Sequence, residues 1–230
     1  MLMDVFGKAL TDFFKEGEAD TLWLLNSYSE PEEMPVDIFF RDEEEMPALE
    51  HHALSHCYGD VLDVGAGVGS HALILQELGH KVTAIDISAD AVKIMQQRGV
   101  KNAIVQDVFT TAEKFDTLLF LMNGIGLTGT LHGFAHFLNF AKNLINDGGQ
   151  LLFDSSDIAY LYEDLEKPTN QYFGEVNFCY EYKKQKGDWF NWLYIDQTTL
   201  VHISHQNGWH CEIIFEDGED QYLARLKLLS

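Results

Sequence analysis

Three glycines at every second position, directly after a short apolar segment, constrain the fold of this chain more than any other feature. Residues 61–64 are predicted to form a buried strand, residues 65–69 a tight turn, and the residues from Ser70 onward a helix. Glycine adopts backbone angles that a Cβ disfavours and lets a ligand lie against the main chain. A second predicted strand, 81–85, ends in Asp86, about 20 residues after the first glycine. This order of elements is typical of a nucleoside-binding unit, because the acid can accept hydrogen bonds from ribose hydroxyls.

The spacing of the glycines distinguishes between two kinds of nucleoside ligand. In the dinucleotide pattern G-x-G-x-x-G, the third glycine would fall at position 70, which is Ser70, whereas here it comes early, at Gly69. Asp63, just before the turn, is a poor neighbour for a pyrophosphate and a good one for an ammonium group. The resulting pattern D-x-G-x-G-x-G resembles the first motif of the class I S-adenosylmethionine-dependent methyltransferases.

The resemblance extends along the chain from about residue 58 to residue 156. Asp86 matches the acid of this family that binds ribose, and Asp107 and Val108 end a third predicted strand where the family contacts adenine. The apolar segment 115–121, followed by Asn123, matches the fourth strand and the rim of the active site. An ordered set of matches over one sheet is far more specific than a glycine motif alone.

The resemblance implies an α/β fold. The expected architecture is a doubly wound, mostly parallel seven-stranded sheet of order 3-2-1-4-5-7-6 with the last strand antiparallel. Helices are expected on both faces, together with an N-terminal helical cap and an inserted aromatic β-hairpin. The predicted division is a cap or lid over residues 1–57 and a methyltransferase domain over 58–230, with the hairpin at 171–195. Within the cap, one helix is expected near residues 5–14 and a second near 21–28.

The implied cofactor is S-adenosylmethionine, with S-adenosylhomocysteine as the product. Asp63 is expected near the methionine amino group, the glycine loop under the methionine portion, Asp86 at the ribose, and Ile87 and Asp107 at the adenine. The full set of expected cofactor-binding residues is Asp63, Gly65, Ala66, Gly67, Gly69, Asp86, Ile87, Asp107, Val108 and Asn123. Simpler alternatives stay open, since Asp63 and Asp86 could cap the following helices and Asp107 could be a surface acid.

Three residues are candidates for contact with the reacting groups. Asn123 matches the position at which some family members orient an acceptor amine, although no proline or aromatic residue follows it as in the DNA and protein amide methylases. His71 begins the helix after the glycine turn and either shapes the pocket or removes a proton. Arg41 either forms a surface ion pair or belongs to a lid that holds a substrate carboxylate. No metal is expected, because the paired histidines at 52 and 56 lack a third ligand.

The composition narrows the choice of partner and compartment. The formal net charge is −22, with 15 Lys and Arg residues against 37 acids. Binding to nucleic acid depends on neutralising phosphates with Lys and Arg, so no nucleic-acid partner is expected. Three widely spaced cysteines predict a reducing, cytoplasmic setting, and no apolar segment reaches the length of a membrane span.

The aromatic residues at 172–194 have two interpretations. They could wall a substrate pocket, where rings favour cationic or planar ligands, or they could pack into the core or against a second subunit in a homodimer. The sequence thus predicts a methyltransferase that acts on a small-molecule acceptor by in-line transfer. The alternatives are a catalytically silent binding protein that uses the hairpin for a partner and, against the glycine spacing, a nicotinamide oxidoreductase.

Overall fold

The computed structural model describes residues 4–163 and 166–229 of the chain. Within them lie six α-helices: α1 (Val5–Glu16), α2 (Ala48–His56), α3 (Ser70–Glu77), α4 (Ala89–Arg98), α5 (Leu131–Ala141) and α6 (Gln197–Gln206). The strands are β1 (Leu22–Asn26), β2 (Glu32–Met34), β3 (Asp60–Val64), β4 (Lys81–Asp86), β5 (Ala103–Val105), β6 (Phe115–Phe120), β7 (Ile145–Ser156), β8 (Glu175–Tyr182), β9 (Gln185–Lys186), β10 (Phe190–Leu193), β11 (Trp209–Glu216) and β12 (Gln221–Leu228).

The central sheet has seven strands in the order β5-β4-β3-β6-β7-β12-β11. Strands β3 to β7 pair in parallel, and β12 runs antiparallel between β7 and β11. In terms of the seven strands of this sheet, the order is 3-2-1-4-5-7-6, so the predicted fold class is confirmed. The carboxyl ends of β3, β4, β6 and β7 therefore meet at one edge, where open α/β sheets bind their ligands.

Apolar side chains fill both faces of this sheet. One cluster packs α5 against β6 and β7 through Phe134, Phe137 and Phe153, all fully buried. The other packs α2, α3 and α4 against β3 and β4. Burial on both faces explains why β6 is a continuous apolar segment, as expected for a central parallel strand. This packing fixes the strand ends that carry the polar residues of the candidate site.

A second, antiparallel sheet joins residues 22–34 to residues 175–193. Its order is β10-β8-β1-β2, with β9 paired to β8. The prediction of a helix near residues 21–28 is wrong, because this segment contains β1. Strand β1 pairs with β8, with Leu22 opposite Tyr182 and Asn26 opposite Phe178. Leu22 and Leu24 are buried while Trp23 between them is exposed, a period of two that suits a strand. The segment 171–195, predicted as a hairpin, thus contributes three strands, β8, β9 and β10, to a larger sheet.

Helix α1 confirms the amphipathic helix predicted near the amino terminus. Asp4 caps it by accepting a hydrogen bond from the Gly7 N–H at 2.7 Å. Its apolar face packs on α4 and on Tyr182 of the second sheet. No helix in the described part of the chain combines the length and apolar character of a membrane span. The division of the chain at residues 57 and 58 and the cytoplasmic location stay predictions.

Candidate active site at the carboxyl edge of the central sheet

The glycine loop turns through the left-handed backbone region three times. The φ angles are +68° at Gly65, +55° at Gly67 and +83° at Gly69, a conformation that residues with a Cβ rarely adopt. A Cβ at Gly65 or Gly67 would meet no atom within 4 Å, so the space above the loop is open. At Gly69 a Cβ would lie 2.7 Å from Val100, so this glycine is also required by packing. The first two glycines therefore present bare main chain to an open crevice.

Hydrogen bonds to β4 and to its terminal acid hold the loop in place. The N–H groups of Gly65 and Ala66 donate to the Ile85 carbonyl at 2.9 and 3.0 Å. The Gly67 N–H donates to Oδ2 of Asp86 at 2.9 Å, while Oδ1 of Asp86 accepts from the Ser88 N–H at 2.8 Å. Burial raises the pKa of Asp86 to about 6, against the effect of these two N–H donors. Asp86 thus ties the glycine loop to the start of α4, and Ser88, not Asp86, caps that helix.

Asp63 has a buried carboxylate oxygen that no other group of the described chain contacts by a hydrogen bond. Its side chain is buried at the end of β3, and its Oδ2 atom has no hydrogen-bond partner. Burial raises the pKa of Asp63 to about 6. The alternative of a helix cap does not hold, since the N-cap residue of α3 is Gly69 and no side chain caps that helix. An orphaned buried carboxylate oxygen carries a desolvation cost, which a cationic ligand group would relieve.

The ends of β4 and β5 carry the other residues expected at the adenosine. Ile87 is 78% exposed, directly after Asp86, which leaves an apolar side chain uncovered beside the loop. Asp107 is exposed and accepts a hydrogen bond from the Phe109 N–H at 2.9 Å, while Val108 is buried. Asp107 therefore caps a short 3-10 turn at Val108–Thr110, and one face of its carboxylate stays open to solvent.

Asn123 lies at the end of β6, but its side chain is already engaged. Met122 and Asn123 both have positive φ angles, +59° and +54°. Oδ1 of Asn123 accepts from the Ser155 hydroxyl at 2.9 Å, and Nδ2 donates to the Leu193 carbonyl at 3.3 Å. The Asn123 N–H donates to both carboxylate oxygens of Asp154, at 3.0 and 2.9 Å. Asn123 therefore fastens the second sheet to β7, and both functional groups of its side chain are engaged there.

The second sheet closes over this edge of the central sheet. Trp192 packs so tightly on Gly126, in the 3-10 turn after Asn123, that a Cβ there would clash with the indole Nε1. The Ser155 hydroxyl accepts a hydrogen bond from the Ile195 N–H at 3.1 Å. Phe6 of α1 stacks on Tyr180 of the second sheet, with ring centroids 5.1 Å apart.

A buried ion cluster joins two candidates to a residue that the sequence did not single out. Glu50 of α2 accepts hydrogen bonds from Nη2 of Arg41 at 2.6 Å and from Nε2 of His71 at 2.7 Å. Burial alone would lower the pKa of His71, yet the hydrogen bond to Glu50 and the nearby charge of Asp63 raise it. Burial would likewise raise the pKa of Glu50, and the contacts with His71 and Arg41 lower it. The contact between Glu50 and His71 thus favours the charged form of each.

The signal for Glu50 was present in the sequence as an acid on an apolar helix face. In α2 the buried positions are Leu49, Glu50, Ala53 and Leu54, so Glu50 lies on the face that packs against the sheet. Near this cluster, burial raises the pKa of Asp154 to about 7 despite the Asn123 N–H. Among the residues that the structure describes, no group of three or more His, Cys, Asp or Glu side chains has the arrangement of a metal site.

Comparisons with known proteins agree with this geometry. Residues 26–212 match the family model described as a methyltransferase domain. The chain is 42% identical to an S-adenosylmethionine-dependent methyltransferase from Bacteroides fragilis, solved in complex with S-adenosylhomocysteine. The match covers 100% of this chain and 98% of that one, with a TM-score of 0.92. A search of curated proteins gave no match.

More distant solved structures share the fold. The complex of DhpI with S-adenosylhomocysteine is 21% identical with a TM-score of 0.60, over 79% of this chain and 82% of that one. The PH0226 protein from Pyrococcus horikoshii OT3 is 16% identical with a TM-score of 0.61, over 78% and 88%. With the family model and the Bacteroides relative, the glycine loop and strand order lead to one conclusion. The chain belongs to the class I S-adenosylmethionine-dependent methyltransferase family.

Proposed function

We propose that this protein transfers a methyl group from S-adenosylmethionine to a small-molecule acceptor. The observation that carries the proposal is the orphaned, buried Oδ2 atom of Asp63 beside a glycine loop with open space above it. The residues present fit the cofactor, since a carboxylate without a partner suits the ammonium of its methionine portion. The Bacteroides relative, with 42% identity over the whole chain, was solved with the product of that cofactor.

Each remaining residue has a role that follows from its place at the crevice. Asp86 accepts from the ribose hydroxyls with the lone pairs left free by Gly67 and Ser88. Ile87 covers the adenine ring, Asp107 accepts from the adenine amino group, and Val108 packs beneath it. The amino end of α3 favours the methionine carboxylate. Arg41, whose buried Nε atom has no partner, donates to that carboxylate rather than to the acceptor.

The bound cofactor supplies a methyl group on a sulfonium, so the protein has mainly to position the acceptor. Holding donor and acceptor in line contributes about 7–11 kcal/mol to lowering the barrier. His71 is a positioning residue in this scheme, because Glu50 already occupies its Nε2 and favours its charged form. Asn123 positions the second sheet relative to β7 through its bonds to Leu193 and Ser155, because its side-chain amide is not free to bind an acceptor directly.

A small acceptor is favoured because the crevice is covered by segments of the same chain. Ser70 at the start of α3 donates to the Phe39 carbonyl at 2.8 Å, which fastens the segment before Arg41 beside the loop. Arg98 donates to the Val68 carbonyl at 2.9 Å and faces the Phe40 ring. The net charge of −22 opposes nucleic acid as an acceptor. A homodimer formed through the aromatic strands stays a prediction.

The test is calorimetric titration of the purified protein with S-adenosylhomocysteine, alongside an assay for labelled methyl transfer to a metabolite library. Asp86→Ala is expected to weaken binding at least tenfold, because it removes the ribose acceptor and frees the loop. Asp90→Ala, an exposed acid of α4, is the matched control. Unchanged affinity in Asp86→Ala contradicts the ribose role, and tighter binding of a nicotinamide dinucleotide contradicts the function. Binding without transfer to any acceptor favours the catalytically silent alternative.

A further inference from the structure

We propose that the methyl acceptor is an amine. It is bound by Glu32, Tyr180 and Tyr194 on the inner face of the second sheet. The inner face is defined as the side of that sheet that packs on α1 and on the 3-10 turn at Gly124–Thr128. The inference rests on the proposed function and goes beyond it by assigning the class of the acceptor.

The pairing register places one carboxylate among the aromatic side chains of the inner face. Glu32 of β2 lies opposite Leu24 of β1, and Leu24 lies opposite Tyr180 of β8, so the three share one row. Tyr180 stacks on Phe6 of α1, which identifies this row as inward-facing. The adjacent rows add Phe178 with Asn26 and Phe190, and Val176 with Trp192. Of the side chains that the register of the described strands places on this face, Glu32 alone is charged.

The next residue along β2 faces the opposite way. Glu33 pairs with Trp23, and Trp23 pairs with Glu181, on the outer side of the sheet. Glu32, Glu33 and Trp23 are all exposed, so the register and not the exposure distinguishes the two acids. Glu32 and Glu33 are thus adjacent acids of equal charge on opposite faces, and only Glu32 shares a face with Tyr180.

Tyr194 adds a second phenol to the aromatic side chains around Phe178. Its neighbours Leu193 and Ile195 are fully buried and bond to Asn123 and to Ser155 respectively. The Tyr194 side chain packs instead on the apolar cluster of the second sheet, with its ring 6.4 Å from that of Phe178. Burial, together with the charges of Glu32, Tyr160 and Asp154, raises the pKa of Tyr194 to about 12, so the phenol stays protonated.

Glu32 is held in position for a ligand by its neighbours. Its Oε1 atom accepts from the Tyr28 hydroxyl at 3.2 Å, from Nδ2 of Asn26 at 3.0 Å and from the Ser29 hydroxyl at 3.3 Å. Its Oε2 atom makes no hydrogen bond to the described residues. The positive charges of Arg41 and His71 are already paired with Glu50. The acceptor side of the crevice is therefore acidic and aromatic, a combination that attracts ammonium groups and repels carboxylates and phosphates.

The chemistry of an amine suits this surface. An ammonium loses one proton to solvent, and the free amine uses its lone pair to form the N–C bond as the C–S bond breaks and its electron pair goes to sulfur. The methylated product regains a positive charge that the same rings and carboxylate stabilise. An anionic acceptor would instead be repelled by the negative charge of Glu32.

The inference is tested by measuring the binding of two probes to protein saturated with S-adenosylhomocysteine, so that no methyl transfer takes place. The probes are phenethyltrimethylammonium and its neutral carbon isostere, and tryptophan fluorescence reports binding. The wild type is expected to prefer the cation about tenfold. Glu32→Gln and Tyr194→Leu are each expected to reduce that preference at least threefold, whereas Glu33→Gln retains it. Equal binding of both probes to the wild type, or an equal loss in Glu33→Gln, overturns the inference.

A turnover experiment separates failure of the inference from failure of the proposed function. Labelled methyl transfer is measured to phenethylamine, 2-phenylethanol and 3-phenylpropionate under the same conditions. Preference for the amine is the expected result, and preference for the alcohol or the carboxylate overturns the amine assignment while leaving the methyltransferase function intact. Failure to bind S-adenosylhomocysteine at all would instead overturn the proposed function.

Discussion

The Nε2 atom of His71 lies 2.7 Å from Oε2 of Glu50, and both side chains are buried beside the glycine loop. This contact joins α2 to the first turn of α3. The other oxygen of Glu50 holds Arg41, so one carboxylate fixes two cations from separate segments. A buried ion pair of this kind stabilises the fold little more than apolar side chains of the same size would. Removal of one partner, however, leaves the other charge buried and uncompensated.

Glu50→Gln is therefore expected to lower the free energy of unfolding by about 3–5 kcal/mol, because Arg41 and His71 lose their shared partner. The same change is expected to lower the pKa of His71, since Glu50 raises it in the folded protein. Urea denaturation measures the first effect and NMR titration of the imidazole the second. Glu44→Gln, at an exposed position, is the control. A His71 pKa equal to that of the wild type would contradict the assignment.

Gly67→Ala and Gly69→Ala are expected to differ in what they damage. Both residues have positive φ, so each substitution costs about 1–2 kcal/mol of stability. The added Cβ meets no atom at Gly67, whereas at Gly69 it lies 2.7 Å from Val100. Gly67→Ala should therefore lose S-adenosylhomocysteine affinity with a modest loss of stability, and Gly69→Ala should show the larger loss of stability. Thermal denaturation and calorimetry measure the two effects, and equal stability of the two variants would contradict the prediction.

Asp154 is expected to make the ligand-free protein less stable as pH rises. Burial raises its pKa to about 7 from the ordinary 3.8, so between these values the folded state holds a proton that the unfolded state has lost. Stability from this group is therefore lost from about pH 4 to about pH 7. Asp154→Asn should be more stable than the wild type at pH 8 by about 1 kcal/mol or more, with a flatter profile. Urea denaturation from pH 5 to 8 measures this, with exposed Asp147→Asn as the control, and an unaltered profile in Asp154→Asn refutes it.

Asn123→Ala is expected to affect turnover more than cofactor affinity. The substitution removes the bonds from the Asn123 side chain to Leu193 and Ser155, so the second sheet loses an anchor to the central one. Turnover of the acceptor should fall at least tenfold, while S-adenosylhomocysteine affinity changes less than threefold. Asn191→Ala, an exposed position on β10, controls for general effects on the sheet. A parallel loss of cofactor affinity would place Asn123 in the cofactor site itself.

The central sheet could be predicted from sequence because its signals are local. The glycine loop, the acids at strand ends and the continuous apolar strand β6 each appear within a few residues, and the strand order followed from the family that they resemble. The residues expected at the cofactor lie at the carboxyl edge for the same reason. Their individual roles depend on contacts between elements and stay predictions.

The second sheet could not be predicted in the same way, because its pairing is long-range. The segment with Leu22 and Leu24 is short and apolar, and such a segment is ambiguous between helix and strand until its partner is known. That partner is β8, far along the chain. Glu50 was missed for a related reason, since only the tertiary contacts of Arg41 and His71 show why an acid occupies a buried helix face.

The pairing of β1 with β8 has a practical consequence for engineering. Strand β8 is hydrogen-bonded to β10 on one side and to β1 on the other. If residues 171–195 were exchanged for those of another family member, the new strand would therefore have to pair with the original β1. A mismatched register would turn the wrong side chains toward the crevice. Chimeras that transplant acceptor preference therefore have to carry residues 22–34 together with the later strands.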